Sequence, residues 1–312
     1  MTGFLVSLLV RAIVVLTGTA VVTFALLWHA PGDPALAIAM ARYDSVLPDG
    51  VVDIVRAEVG LDGGFWQAFI GWVKPLLTGD FGQSSVTGRD VLPELLTAIG
   101  YTFPLALAGL AVGIAISVPL ATIAAHRPGS LIDRVAVAVA SLGAAIPAYW
   151  LGLLLILLFA VKLAWLPAMG ARTPAHAVLP ALTLGLGVAA ALTRIIRSGI
   201  LEARDQAFLP AVRRRGVSDW QIGRDHIARH AAIPVITVFG LELAFLLEGA
   251  VMVEVIFSRP GLGSFLVNAI EARDFPKVQA VVLLAALLFV VVNLAIDLIY
   301  RLIDPRIGER NA

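Results

Sequence analysis

Six stretches of this 312-residue chain are long enough, and poor enough in charge, to cross about 30 Å of hydrocarbon as helices. They are Ala12–Trp28, Leu95–Ala125 (with a span starting near Tyr101), Val135–Val161, Ala177–Thr193, Ala231–Ser258 and Val278–Ile296. Only the fifth carries acids, at Glu242, Glu248 and Glu254. Such runs leave two foldings open in principle, a buried soluble core or a membrane bundle. The composition decides between them. With 59% hydrophobic and 14% charged residues, there is too much apolar surface for one soluble core of this length to absorb. The fold class expected is an all-α polytopic membrane protein with six transmembrane helices.

Arg11 ahead of an apolar run imitates a secretory leader, but the run is long and no small-x-small cleavage site follows. We read it as a retained first span. An even number of spans places both termini on one side. With the termini inside, the inner segments hold 14 Lys and Arg and the outer ones 9, four of these in one long acidic loop. Both termini are therefore expected in the cytoplasm of a bacterial cell, with the protein in its inner membrane. The absence of cysteine excludes disulfides, thiolate metal sites and cysteine nucleophiles.

Two connections are longer than turns. Residues 1–100 comprise the first span and a long extracytoplasmic loop; residues 101–312 form a five-helix core with a cytoplasmic loop at 194–232. In the outer loop Trp66, Phe69, Ile70 and Val73 share one helical face. That face suits either a helix lying in the membrane interface or a packed helix in a small outer cap. In the inner loop, Pro210 suits a first helical turn and Gly216 a sharp turn between two short helical pieces. Ser218 or Asp219 can cap the second piece. The hairpin offers Phe208, Leu209, Val212 and Trp220 as apolar knobs beside Arg213, Arg214 and Arg215. Aromatic and arginine residues of this kind anchor interfaces, so the loop reads as a docking element. A loop that merely kept positive charge inside would need the arginines but not the Pro, Gly and Trp.

Glutamates inside a span are costly toward lipid and should face protein or water. Six-residue spacing turns successive ones by about 240°, so the three do not share a stripe. Glu242 and Glu248 are candidates for a translocation pathway and equally for structural bonds; Glu254 near the outer end is either structural or solvated. His226 and His230 stand four apart but lack the carboxylate of a zinc-protease helix and sit among basic residues, which favours a structural or surface role. His29, His126 and His176 read as interface residues. Gly109 and Gly113 form a GxxxG pattern that permits close helix approach. No GxxxxGK[ST] phosphate loop is present, so nucleotide-driven work would need a partner, and no catalytic set is recognisable.

The chain resembles the B-type permease of bacterial dipeptide, oligopeptide and nickel importers. The resemblance is carried by Pro31-Gly32-Asp33-Pro34-Ala35, Gly60-Leu61-Asp62, Gly79-Asp80-Phe81-Gly82-Gln83-Ser84 and Arg215-Gly216. It continues through Arg224-Asp225-His226 to Pro234, Glu254 to Gly263, Arg273-Asp274-Phe275-Pro276 and Asp304-Pro305-Arg306. It implies a type I ABC importer permease fold, with Gly216 at the centre of a coupling helix. It also implies a second homologous permease, two ABC ATPase subunits that bind ATP and Mg, and an extracytoplasmic substrate-binding protein. No cofactor is expected in this chain. The function implied is half of the pore for uptake of small peptides or nickel and other metal chelates. A stand-alone channel or secondary carrier is the competing class, which lacks a motor and often shows inverted repeats; an intramembrane enzyme would need acids sharing a face. Pro210-Ala211-Val212 stands where many such permeases have Glu-Ala-Ala, so the docking contact would rest on other groups. Glu248 lies where relatives more often look small and apolar, which would favour a cationic cargo if it faces the pore.

Overall fold

The computed structural model describes residues 2–43, 47–58, 60 and 63–303, though not every side chain within the helices. Among the described residues regular structure is helical throughout, apart from one isolated antiparallel bridge between Gln83 and Asp90. The helices are α1 (Thr2–Trp28), α2 (Pro34–Tyr43), α3 (Val51–Glu58), α4 (Phe65–Leu76), α5 (Val91–His126), α6 (Leu131–Ala145) and α7 (Ala148–Leu155). They continue with α8 (Val178–Arg204), α9 (Leu209–Arg214), α10 (Asp219–Gln221), α11 (Ala228–Ile256), α12 (Leu262–Glu271) and α13 (Phe275–Ile303). Helix α7 runs on as a π-helix over Ile156–Lys162, and α10 as another over Ile222–Ile227.

Four of these helices, α1, α5, α8 and α13, are long and apolar enough to span a membrane, and α6 with α7 makes a fifth if the bent pair is one span. The remaining expected span, Ala231–Ser258, is helical over Ala228–Ile256. One expectation needs correction. Val135–Val161 is not a straight helix but two, bent by 101°. The break falls at Ile146 (φ −82°, ψ 122°) and Pro147 (φ −60°, ψ 134°). A proline drives the residue before it out of the helical region and has no N–H to continue the ladder. Counting charges in a window is blind to this.

The chain divides into two compact units. The first is Met1–Tyr101 with Pro260–Val291. Its α1 and α4 meet through stacked and edge-on aromatics: Phe24 lies 5.3 Å from Phe65, 5.4 Å from Phe69 and 5.6 Å from Trp72. The packed face of α4 is thus Phe65, Phe69 and Trp72, whereas Trp66 and Ile70 of the expected face are exposed. Stepping 100° per residue defines both faces, and only the partner chooses between them. Elsewhere in this unit Asp274 is buried and accepts from the Ser84 hydroxyl at 2.5 Å and the Ser85 amide at 3.0 Å, while Lys277 pairs with Glu94 at 2.7 Å.

The second unit is Thr102–Arg259 with Val292–Ala312. Its core gathers Leu105, Leu110, Leu184, Val188, Leu192, Leu246, Val253 and Phe257, with α8 packed against α6, α7 and α11. The GxxxG pattern has the packing role expected. A Cβ on Gly113 would stand 2.6 Å from Val188, and one on Gly185 would stand 2.6 Å from Val112 and 2.7 Å from the Gly109 carbonyl. These glycines let α5 and α8 touch backbone to backbone.

Candidate functional site

The Arg-rich loop grows out of a clamped stem. Asp133, in the first turn of α6, is buried and takes both ends of the Arg197 fork, Nε at 2.5 Å and Nη2 at 2.8 Å. The Gly129 amide donates to the same carboxylate at 2.8 Å. Paired, bidentate charge is the arrangement that makes a buried carboxylate tolerable. Two turns further on, Arg204 donates to the Ala125 carbonyl, one of the acceptors left over where α5 ends. Across the stem Gly199 approaches Ala231 so closely that a Cβ would lie 3.3 Å from the Ala231 carbonyl oxygen. The last turns of α8 are therefore fastened to α5, α6 and α11 at once. Sequence reasoning missed Asp133, Arg197 and Arg204 as a set, because the partners lie 64 and 79 positions apart and only the inner-end arginines were visible.

Beyond the stem the chain forms the expected hairpin. Helix α9 carries Pro210 in its first turn, and Gly216 follows it with φ +78° and open space around its missing Cβ. Left-handed backbone favours glycine there. Ser218 then caps α10 in a capping box with Gln221: the Gln221 amide donates to the serine hydroxyl at 3.3 Å, and the Ser218 amide to the Gln221 side chain at 3.3 Å. Asp219 reaches back to Arg213 at 3.5 Å, across the turn. Asp225 bonds Arg224 at 2.7 and 3.0 Å and so holds that guanidinium's pKa above its ordinary value.

The docking candidates separate into two groups. Trp220 is 75% exposed, and Arg213, Arg214 and Arg215 are exposed around it. Phe208 is partly exposed and lies 5.9 Å from His226 and 5.5 Å from His230, so the histidine pair wraps a phenylalanine. Val212 is half-buried. Leu209 is buried and thus anchors α9 inward instead of standing as a free knob. An apolar residue at the first position of a six-residue helix has nothing else on which to seat that helix.

Of the three acids on α11, Glu242 is half-buried, and the side chain of Glu248 lies outside the described residues. Glu254 is fully buried and accepts from the Thr102 hydroxyl at 2.5 Å, so the solvated reading is excluded. Nearby Arg259 donates to the His176 carbonyl at 3.1 Å and the Gly170 carbonyl at 3.4 Å. Among the described residues no group of three or more His, Asp or Glu side chains could hold a metal ion. The arrangement combines a fastened stem, a kinked tip, an exposed tryptophan and three consecutive exposed arginines.

Apolar helices long enough to cross a membrane are thus joined to a braced basic hairpin. Residues 117–309 match the family described as binding-protein-dependent transport system inner membrane component, and residues 1–103 match its N-terminal counterpart. The glutathione transport system permease protein GsiC of Escherichia coli K12 is 36% identical over 307 residues, 98% of this chain and 99% of that protein; the Shigella dysenteriae protein of the same name agrees equally well. Among solved structures, the inward-facing MetNI methionine ABC transporter matches with a TM-score of 0.57 at 20% identity, covering 68% of this chain and 97% of that one. An amino acid ABC transporter with histidines gives 0.55 at 18%, covering 67% and 94%. These two bear on the fold alone.

The chain belongs to the binding-protein-dependent transport system inner membrane component family. It is the permease component of an ABC importer, a multi-pass inner-membrane protein and a transport component rather than an enzyme.

Proposed function

We propose that this permease forms half of a translocation pore for short peptides and takes its power stroke through the hairpin centred on Gly216. Its partners are then a second homologous permease, two ABC ATPase subunits that hold ATP and Mg, and an extracytoplasmic substrate-binding protein. In this reading both termini and the hairpin face the cytoplasm, and residues 1–100 and 101–312 divide the work between an outer-loop region and a pore-forming core. Peptide cargo is favoured over nickel or metal chelates by the relative that transports glutathione, itself a tripeptide.

The observation that carries the coupling role is the contrast between stem and tip. The stem is bonded on two sides and closely packed on a third, whereas Trp220 and the three consecutive arginines are left exposed on a capped, kinked element. A surface built that way transmits displacement instead of absorbing it. Closure of the ATPases on ATP would move it as a unit and bias the spans between two arrangements. Glu242 and Glu248 belong to the pathway in this scheme, attracting the amino group of a zwitterionic peptide.

The test is co-purification with the ATPase subunits together with uptake. Changing Arg213, Arg214 and Arg215 together to Glu, or Gly216→Pro, should abolish pairing and transport while the chain still inserts. Undiminished pairing and transport would refute the docking role. Competition of labelled glutathione uptake by unlabelled peptides but not by nickel chelates is expected; the reverse pattern would overturn the cargo.

A further inference from the structure

The first unit contains a cavity of about 790 Å³ at the α1 end away from the N-terminus. Its lower wall is apolar, formed by Phe24, Leu27 and Trp28 from the last turns of a spanning helix and by Trp72 of α4. Its polar lining comes from Arg56 and Glu58 at the end of α3, Gln67 of α4 and Gln279 near the start of α13. Gln279 is 5% exposed and lines the cavity. Its side-chain amide can both donate and accept there. Neither feature belongs to the coupling hairpin or to the acids of α11.

We propose that this cavity is a phospholipid site. Two walls of opposite character, one continuous with a membrane-spanning helix, fit an amphiphile and not a small polar solute. Tryptophans at the end of a span mark headgroup depth, so the apolar wall meets the acyl chains and the polar wall the headgroup. Arg56 already pairs with Asp33 at 2.6 Å but remains half-exposed, leaving guanidinium N–H groups for phosphate. The Gln279 amide then serves the glycerol ester region. The cavity is far larger than one ordered water requires, and aromatic and aliphatic side chains make up half of its lining.

Gly71 lines the cavity on α4, and a Cβ there meets nothing within 4 Å, so Gly71→Leu fills the space without removing a charge. The assembled importer, exchanged into detergent with phosphatidylethanolamine and phosphatidylglycerol, is weighed by native mass spectrometry. Bilayers carrying acyl-brominated versions of the same lipids report on quenching of Trp28 and Trp72. Wild type should retain phospholipid through delipidation; Arg56→Gln should lower retention about tenfold, the loss of one charge-assisted contact, and Gly71→Leu should lower it by filling the space. Gly71→Leu should also relieve the quenching relative to wild type. Retention unchanged in both variants would overturn the proposal. So would a wild-type complex that keeps no lipid because a partner subunit fills the space, or a short peptide that occupies the cavity where phospholipid does not.

Discussion

Asp133 and Arg197 illustrate how much of this protein rests on pairs that are distant in sequence. Removing one partner of a buried bidentate pair leaves the other charge desolvated. Asp133→Asn should lower the stability of the purified importer by about 2 kcal/mol, seen as a fall in Tm, with uptake reduced in parallel. Arg197→Lys should recover only part of it, since an ammonium cannot replace both prongs of the fork. An unchanged Tm in Asp133→Asn would remove the stem clamp. Glycine gives a second test at the same scale. Gly185→Ala forces a methyl against Val112 and the Gly109 carbonyl and should cost about 1–3 kcal/mol in the same assay. Gly18, with open space around it, should accept alanine without loss. The glycine pair on α5 was legible from its spacing; that Gly185 answers it from α8 was not, because a lone glycine in an apolar run has no signature of its own. For Glu254 the structural and solvated readings stayed open for a related reason: its position near a span end says nothing of the Thr102 hydroxyl that donates to it.

Among the elements, the hairpin was the most readable. Pro210, Gly216 and Ser218 each have a specific backbone consequence, and all three were realised where the residues stand. The expectation at this scale is that Ser218→Ala combined with Gln221→Ala weakens the second piece by about 1 kcal/mol. The result should be faster amide exchange over residues 217–222 with the stem unaffected. Equal exchange would mean that partner contacts rather than the capping box order the tip. Helix α4 and the pair α6–α7 were less readable. Periodicity cannot choose between two overlapping aromatic faces, and an uncharged run hides a broken backbone unless its proline is weighed as heavily as its hydropathy.

Taken whole, the molecule contains apolar spans and a braced hairpin, and its sequence has no recognisable phosphate loop. Reconstituted by itself in sealed vesicles, it should move no peptide with or without ATP. Adding the second permease, both ATPases and the loaded binding protein should make uptake ATP-dependent. Transport at full rate by this chain alone would return it to the channel or carrier class. The long charge-poor runs and the apolar composition made the membrane class legible from sequence, since both follow from the solvent. The grouping of residues 260–291 with the N-terminal hundred was not, because nothing local to either segment announces the other.

The elbow at Ile146–Pro147 carries a consequence for solvent. Where α6 stops, its final carbonyls have no next turn to receive, and where α7 starts, its first amides have no previous turn to donate to. Hydrocarbon offers nothing to either set. The corner must therefore look onto protein or onto water and never onto lipid.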